Sequence, residues 1–265
     1  MHASAATIAL GFCLAALVSA LTTPVGVSGA VFLLPVQVSV LKVPSPSVTP
    51  TNLMFNLFAT PAGLVTYWRQ GQVDLRLARV LLLGTVPGVV VGAWLRVEHL
   101  SGAVALRLFL GLFLIPIGLL LLRRRGAGDG AADRPPPMLP RWVGPFAAVV
   151  GVVGGLIGVG GGSVLAPVLA GLGLPLARVA PVALLTTFVT SVVGVATFAV
   201  LAATGAPAAA PDWVLGVALG LGGIVGSIAG AKAQPHLPER GLRTFLAVAA
   251  LAVGVTYVLT ALALR

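Results

Sequence analysis

The sequence predicts an all-α polytopic membrane protein built from two related halves, and three observations carry that expectation. Of 265 residues, 58% are hydrophobic and only 8% are charged, too few charges for a water-soluble domain of this size. The apolar residues fall in long runs separated by short loops that hold Gly, Pro and Arg. A glycine-rich stretch from Gly158 to Pro167, GVGGGSVLAP, has a weaker partner from Gly26 to Pro35 in the other half.

The net charge of +10 raises nucleic acid as a partner, but no basic face with interleaved aromatics accompanies it. The basic residues instead lie between apolar runs, where they orient a chain in a bilayer. Cys13 is the only cysteine, which excludes an intramolecular disulfide and a cysteine metal cluster.

Taken in order, the first apolar run is Ala5 to Leu21. Val18-Ser19-Ala20 resembles a cleavage site, yet only His2 precedes the run where a signal peptide carries a basic region, so it reads as a retained first segment. A break from Thr22 to Gly29 follows, then a short run from Ala30 to Leu41 and a Pro-rich loop from Lys42 to Ser47. Val48 to Val65 is closed by the interfacial Tyr67-Trp68-Arg69. Asp74 opens a span to Trp94, and Val104 to Leu122 ends on Arg123-Arg124-Arg125.

Residues 123–141 read as a basic linker, with five arginines, three glycines and Pro135-Pro136-Pro137, a composition that cannot bury itself. It divides a first membrane repeat, 1–122, from a second, 142–265. The second half runs through Val143 to Ile157, the glycine break, Ser163 to Leu172, Ala180 to Leu201, Asp212-Trp213 to Ala231, and Thr244 to Leu264.

The repeat is visible residue by residue. At an offset of 132, Gly26, Val27, Gly29 and Pro35 fall on Gly158, Val159, Gly161 and Pro167. At 131, Val48, Pro50, Leu53 and Gly63 fall on Val179, Pro181, Leu184 and Gly194. At 138, Asp74, Gly84, Gly88 and Gly92 fall on Asp212, Gly222, Gly226 and Gly230. At 136, Leu106, Arg107, Phe109, Leu110 and Gly118 fall on Leu242, Arg243, Phe245, Leu246 and Gly254.

Parity then bears on topology. Five segments per half, two of them short in all, make the repeats inverted, with broken helices meeting near the midplane. If each broken pair crosses once, there are eight spans and the halves are parallel. With ten segments and the N-terminus outside, twelve of the sixteen basic residues face inward, leaving Lys42, Arg96, Arg107 and Arg265 outside. The parallel arrangement splits them nine to seven. The positive-inside bias favours the inverted form, with a cytoplasmic linker and periplasmic termini. Inverted repeats with broken helices are a recurring plan of secondary transporters.

The breaks point to an anion. Unwound backbone at membrane depth survives only in protein or a water-filled cavity, and a helix that restarts there offers free N–H groups and a positive dipole end. Close helix packing through small residues is the competing reading of the same glycines. The candidate backbone contacts are Gly26 and Gly29 in the first half, and Gly158, Gly160, Gly161 and Gly162 in the second. The helices that follow carry polar clusters. Asn52, Asn56 and Thr60 share one face. Thr187, Thr190 and Ser191 lie on the other helix, with Thr187 and Ser191 equivalent to Asn56 and Thr60. Neutral donors suit a transported anion because they solvate it without trapping it, although such groups also hydrogen-bond between helices.

All six carboxylates, Asp74, Glu98, Asp129, Asp133, Asp212 and Glu239, fall in loops or at helix starts, so no buried proton relay is evident. Asp74 and Asp212 read as N-caps. The repeated glycines from Gly84 to Gly92 and from Gly222 to Gly230 read as helix contacts, and Arg107 and Arg243 as interfacial side chains. No metal or cofactor is expected.

The GVGGGSVLAPVLAGLGLP run, the polar helix after it and the weaker first copy, Gly26-Val27-Ser28-Gly29-Ala30, resemble the sulfite exporter TauE/SafE family over about residues 10–262. The resemblance implies a multi-pass protein of the bacterial inner membrane that moves small sulfur oxyanions and organosulfonates. The expected function is therefore a secondary transporter of a small inorganic or organosulfur anion bound between the two breaks. The expected partners are that anion and the lipid bilayer, without nucleic acid, and self-association is left open. An anion channel is one alternative. A membrane-embedded enzyme is another, but it needs a nucleophile and base, paired carboxylates or metal ligands at membrane depth, and the sequence offers none.

Overall fold

The computed structural model describes residues 4–23, 28–69, 71, 73–123, 140–171, 174, 176–233 and 239–263. Among them are ten α-helices, five in each half. The first half holds α1 (Ala5–Thr22), α2 (Gly29–Ser39), α3 (Val48–Arg69), α4 (Leu75–Glu98) and α5 (Ala103–Arg123). The second holds α6 (Val143–Ile157), α7 (Gly162–Gly171), α8 (Leu176–Ala203), α9 (Trp213–Ala233) and α10 (Glu239–Ala263). A bilayer core leaves no water for open backbone, so helices are the natural way to satisfy it. Six of these helices, α1, α4, α5, α8, α9 and α10, contain stretches long and apolar enough to cross a membrane. The chain is a multi-pass membrane protein.

Two helices are short. At 11 and 10 residues, α2 and α7 extend about 15 Å at 1.5 Å per residue, half of a hydrocarbon core about 30 Å thick. By contrast α3 is long but polar, and its buried residues include Thr49, Thr51, Asn52, Asn56 and Thr60. Packing against α8 and α9 keeps that face away from lipid.

The halves interlock, and glycine sets how closely. In α4, a Cβ on Gly84, Gly88 or Gly92 would lie 2.6, 2.3 or 2.1 Å from the carbonyl oxygens of Gly144, Ala148 and Val152 in α6. In α9, a Cβ on Gly222, Gly226 or Gly230 would lie 2.3, 2.0 or 2.5 Å from those of Phe12, Ala16 and Ala20 in α1. The partners Phe12, Ala16 and Ala20 map onto Gly144, Ala148 and Val152 by the offset of 132 that relates the breaks. Such approach requires hydrogen in place of a side chain, the usual device of helix packing in lipid. The centre repeats the exchange: a Cβ on Gly63 would meet Leu184 at 3.2 Å, and one on Gly194 would meet Leu53 at 2.6 Å. Helices α5 and α10 pair with each other through Gly111, Gly118 and Gly254.

Of the linker at 123–141, residues 124–139 lie outside the described residues, as does Gly26. One charge differs from expectation. Arg96, counted among the outer loop residues, lies in the last turn of α4 and is 1% exposed. It is buried because Ser45 and Thr49 of the α2–α3 connection and α3 supply hydrogen-bond acceptors there.

Candidate functional site

The second break is a turn made possible by two left-handed residues. Helix α6 ends at Gly158 with φ +76°, its N–H donating to Gly154 O at 2.7 Å, and Gly160 follows with φ +77°. L side chains rarely adopt that region. Space adds a second constraint. A Cβ on Gly158 would lie 2.4 Å from Thr49 O, one on Gly160 would lie 2.9 Å from Thr187 Cγ2, and one on Gly162 would lie 1.8 Å from Ala183 O. Gly161 is less enclosed, with Thr85 Cγ2 at 3.0 Å. Residues 157–162 are all buried.

Two asparagines one turn apart on α3 tie this break to the first. Asn52 Nδ2 donates to Gly158 O at 2.9 Å and to Ala30 O, in the first turn of α2, at 3.1 Å. Asn56 Nδ2 donates to Val159 O at 3.1 Å, and Ser28 Oγ, the N-cap of α2, donates to Asn56 Oδ1 at 3.4 Å. Both asparagines therefore touch both breaks. Gln37 of α2 completes the group by donating to Asn52 Oδ1 at 2.7 Å. The amides satisfy carbonyls that the broken helix leaves without partners, which buried backbone requires.

This use of the amides changes which donors remain free. Both N–H groups of Asn52 are engaged, whereas Asn56 retains one among the described residues. Thr60 Oγ1 donates to Asn56 O at 2.6 Å, so its proton is held within its own helix. Thr190 Oγ1 accepts from Gly161 N at 3.2 Å and donates to Thr186 O at 2.7 Å. Ser191 Oγ is buried without a partner, and the hydroxyl of Thr187 has none among the described residues. At the start of α7, among the described residues, the N–H groups of Gly160, Gly162 and Ser163 have no acceptor. Gly29 stands apart from these donors and packs against Phe55, Ser19 and Thr22.

The sequence expectation thus assembles around the second break, with Gly158, Gly160, Gly161, Gly162, Asn52, Asn56, Thr187 and Thr190 in one buried region. It missed Gln37, Thr49 and Thr85, each fully buried beside that region. Gln37 and Thr85 interrupt apolar stretches within α2 and α4, a signal available from the sequence.

A buried cluster of hydroxyls and amides, without a carboxylate, around a helix that restarts inside an apolar bundle is a setting for an anion. Among protein families, the model described as sulfite exporter TauE/SafE matches residues 9–257. The chain belongs to the sulfite exporter TauE/SafE family. That match covers both halves and both breaks, so the family assignment applies to the whole bundle and identifies a membrane transporter of sulfur anions. No curated protein and no solved structure matches the chain.

Proposed function

We propose that the protein exports a small sulfur oxyanion or organosulfonate across the bacterial inner membrane, binding it at the second break, where α3 brings the first break alongside. The observation that carries this reading is the open start of α7. Its N–H groups at Gly160, Gly162 and Ser163 lack protein acceptors among the described residues, beside the free hydroxyl of Thr187 and the spare N–H of Asn56. Ser191 adds a buried hydroxyl one turn further along α8. In this reading Asn52, Thr60 and Thr190 shape the site, Gly158 to Gly162 keep it open, and Gly29 belongs to the first break, whose Gly26 lies outside the described residues.

The two halves, 1–122 and 142–265, are inverted repeats joined by a cytoplasmic basic linker. The reciprocal packing of α4 on α6 and of α9 on α1 supports a pseudo-twofold relation, and the distribution of basic residues supports inversion. Transport is uncoupled and electrogenic. With no carboxylate placed along an apolar span, the cargo charge itself responds to the potential, gaining about 2.3 kcal/mol per 100 mV when it leaves a negative interior. Per unit charge that favours export by roughly 40-fold, since about 1.4 kcal/mol is a factor of ten.

Sulfite flux in proteoliposomes with a valinomycin-set potassium potential and no pH gradient tests both parts. Flux should saturate with sulfite and accelerate with inside-negative potential when sulfite starts inside. Thr187→Val, which keeps the shape and removes the hydroxyl, should raise the half-saturating sulfite concentration about fivefold or more at equal incorporation. Unchanged saturation in Thr187→Val argues against binding at the break. Flux that follows a pH gradient and ignores the potential replaces the uncoupled mechanism with proton coupling.

A further inference from the structure

The most unusual side chain in the bundle takes no part in the break. Arg96 is 1% exposed, and no carboxylate pairs with it among the described residues. Its Nε donates to Thr49 Oγ1 at 3.2 Å, its Nη2 donates to Ser45 Oγ, and its Nη1 is buried with no acceptor. A guanidinium stays charged, and a buried charge without a counter-charge is costly. Two neutral hydroxyls do not supply one.

Beyond Ser45 lies a cavity of about 570 Å³ whose lining includes Ser39, Lys42, Ser45 and Arg107. Its two charged residues are both cations, Lys42 exposed and Arg107 half-buried. Ser45 stands between the cavity and the buried charge, donating to Ser101 O at 2.5 Å while it accepts from Arg96. On the inner side, Thr49 Oγ1 donates to Leu156 O at 3.3 Å in the last turn of α6, and Thr49 O packs against Gly158. Lys42 and Arg107 share the cavity with Ser45, and contacts then run from Ser45 through Arg96 and Thr49 to the glycine break. The equivalents of Lys42, Thr49 and Arg96 in the other half are Leu174, Ala180 and Gln234. Of the cations on this path only Arg107 has a basic equivalent, Arg243, so the full set is not repeated in the other half.

We infer that the Lys42–Arg107 cavity is an outer vestibule for a small oxyanion, and that Arg96, reached by displacement of Ser45, is a second anion-binding site between the break and that mouth. The missing counter-charge of Arg96 is the anion itself. Lys42 and Arg107 raise its local concentration at the mouth, and the Nη2 of Arg96, freed when Ser45 moves, together with its unpaired Nη1 offers the paired N–H geometry that oxyanions take. In the proposed orientation this mouth faces the periplasm. The identity of the cargo rests on the family reading, but the existence of this site does not depend on binding at the break.

The test is calorimetric titration of the full-length protein in lipid nanodiscs with sodium sulfate, a redox-inert probe, at low and high sodium chloride. Wild type should bind sulfate with an affinity that falls with salt. Arg96→Gln should weaken one sulfate site by about tenfold or more, with Arg96→Lys restoring part of the loss. Lys42→Gln combined with Arg107→Gln should weaken binding a few-fold and flatten its salt dependence. Thr187→Val, at the break, should leave this site unchanged. If Arg96→Gln does not fold, the Lys42→Gln/Arg107→Gln pair decides, because those side chains line open space. Wild-type sulfate affinity and salt dependence in that pair overturn the inference. A lowered melting temperature with intact sulfate binding in Arg96→Gln does the same, and leaves Arg96 as a clamp on the α2–α3 connection. Loss of sulfate binding in Arg96→Gln together with unaltered sulfite saturation in Thr187→Val keeps the vestibule and removes the break site.

Discussion

At the start of α2, the side chain of Ser28 accepts from Ala30 N at 3.3 Å and donates to Asn56, so the first half closes its own helix end. At the equivalent start of α7, Gly160 takes the place of Ser28 and offers no cap. The following helices differ in the opposite sense. Asn52 and Asn56 in α3 correspond to Ala183 and Thr187 in α8 at an offset of 131. The first half therefore supplies amides that hold the second break in shape, and the second half supplies bare backbone. The two halves differ here in support and opening, and amide support of this kind allows unwound backbone to persist inside an apolar bundle.

The strongest way to break that comparison is to make the halves alike at one position. Ala30 and Gly162 are equivalent by the offset of 132. A methyl group on Gly162 would lie 1.8 Å from Ala183 O and 2.5 Å from Thr187 Oγ1, so Gly162→Ala should reduce sulfite flux to background by displacing α7 from α8. Ala30→Gly makes the reverse change and should retain flux, costing only about 1 kcal/mol of helix stability. Proteoliposome flux normalised to incorporated protein reads both. Equal flux from the two variants would show that the breaks are interchangeable and remove the distinction.

A smaller effect sharpens the symmetric side of the comparison. Gly88 and Gly226 occupy equivalent places in α4 and α9, with a Cβ at 2.3 and 2.0 Å from the carbonyls of Ala148 and Ala16. Gly88→Ala and Gly226→Ala should each destabilise the bundle by about 1–3 kcal/mol, the usual cost of overpacking. Thermal unfolding in detergent should show similar losses for both. A large loss in one alone would mean that only one interface is tightly packed.

Periodicity makes much of this architecture legible. The glycines at 84, 88 and 92 and their equivalents are spaced by four, so their spacing alone marks one helix face, and they prove to be contact points. The glycine break is legible because four glycines in five residues have few other uses. The role of Asn52 is not, since its acceptor Gly158 O lies 106 residues away and no local pattern announces it. Arg96 departs from expectation for a related reason. A cation near the end of an apolar run ordinarily snorkels to water, and only the hydroxyls of Ser45 and Thr49, brought over it by the α2–α3 connection, keep it inside.

The smallest expected effect separates two caps that the sequence treats as identical. Asp74 Oδ1 accepts from Arg76 N at 3.0 Å and Leu77 N at 3.1 Å, and Asp212 Oδ1 accepts from Leu215 N at 3.0 Å. Among the described residues only Asp74 has a cation as well: Arg178 Nε donates to its Oδ2 at 2.7 Å, joining the start of α4 to the start of α8. Burial disfavours the Asp74 carboxylate, but the Leu77 N–H, Arg178 and the Arg76 N–H together outweigh it and hold the carboxyl below its ordinary value of 3.8. A carboxyl depressed in the folded state contributes stability that is present above its unfolded value and is lost as pH falls through the lowered folded one. Asparagine keeps the capping oxygen and removes the charge. Asp74→Asn should therefore lower the melting temperature slightly at pH 7, by the equivalent of about 1 kcal/mol or less for a partly exposed pair. That gap should persist down to about pH 4 and close below it. Asp212→Asn should change little at pH 7. A gap for Asp74→Asn that widens in acid, or an equal loss for both variants at pH 7, would mean that the ion pair does not distinguish the two helix starts.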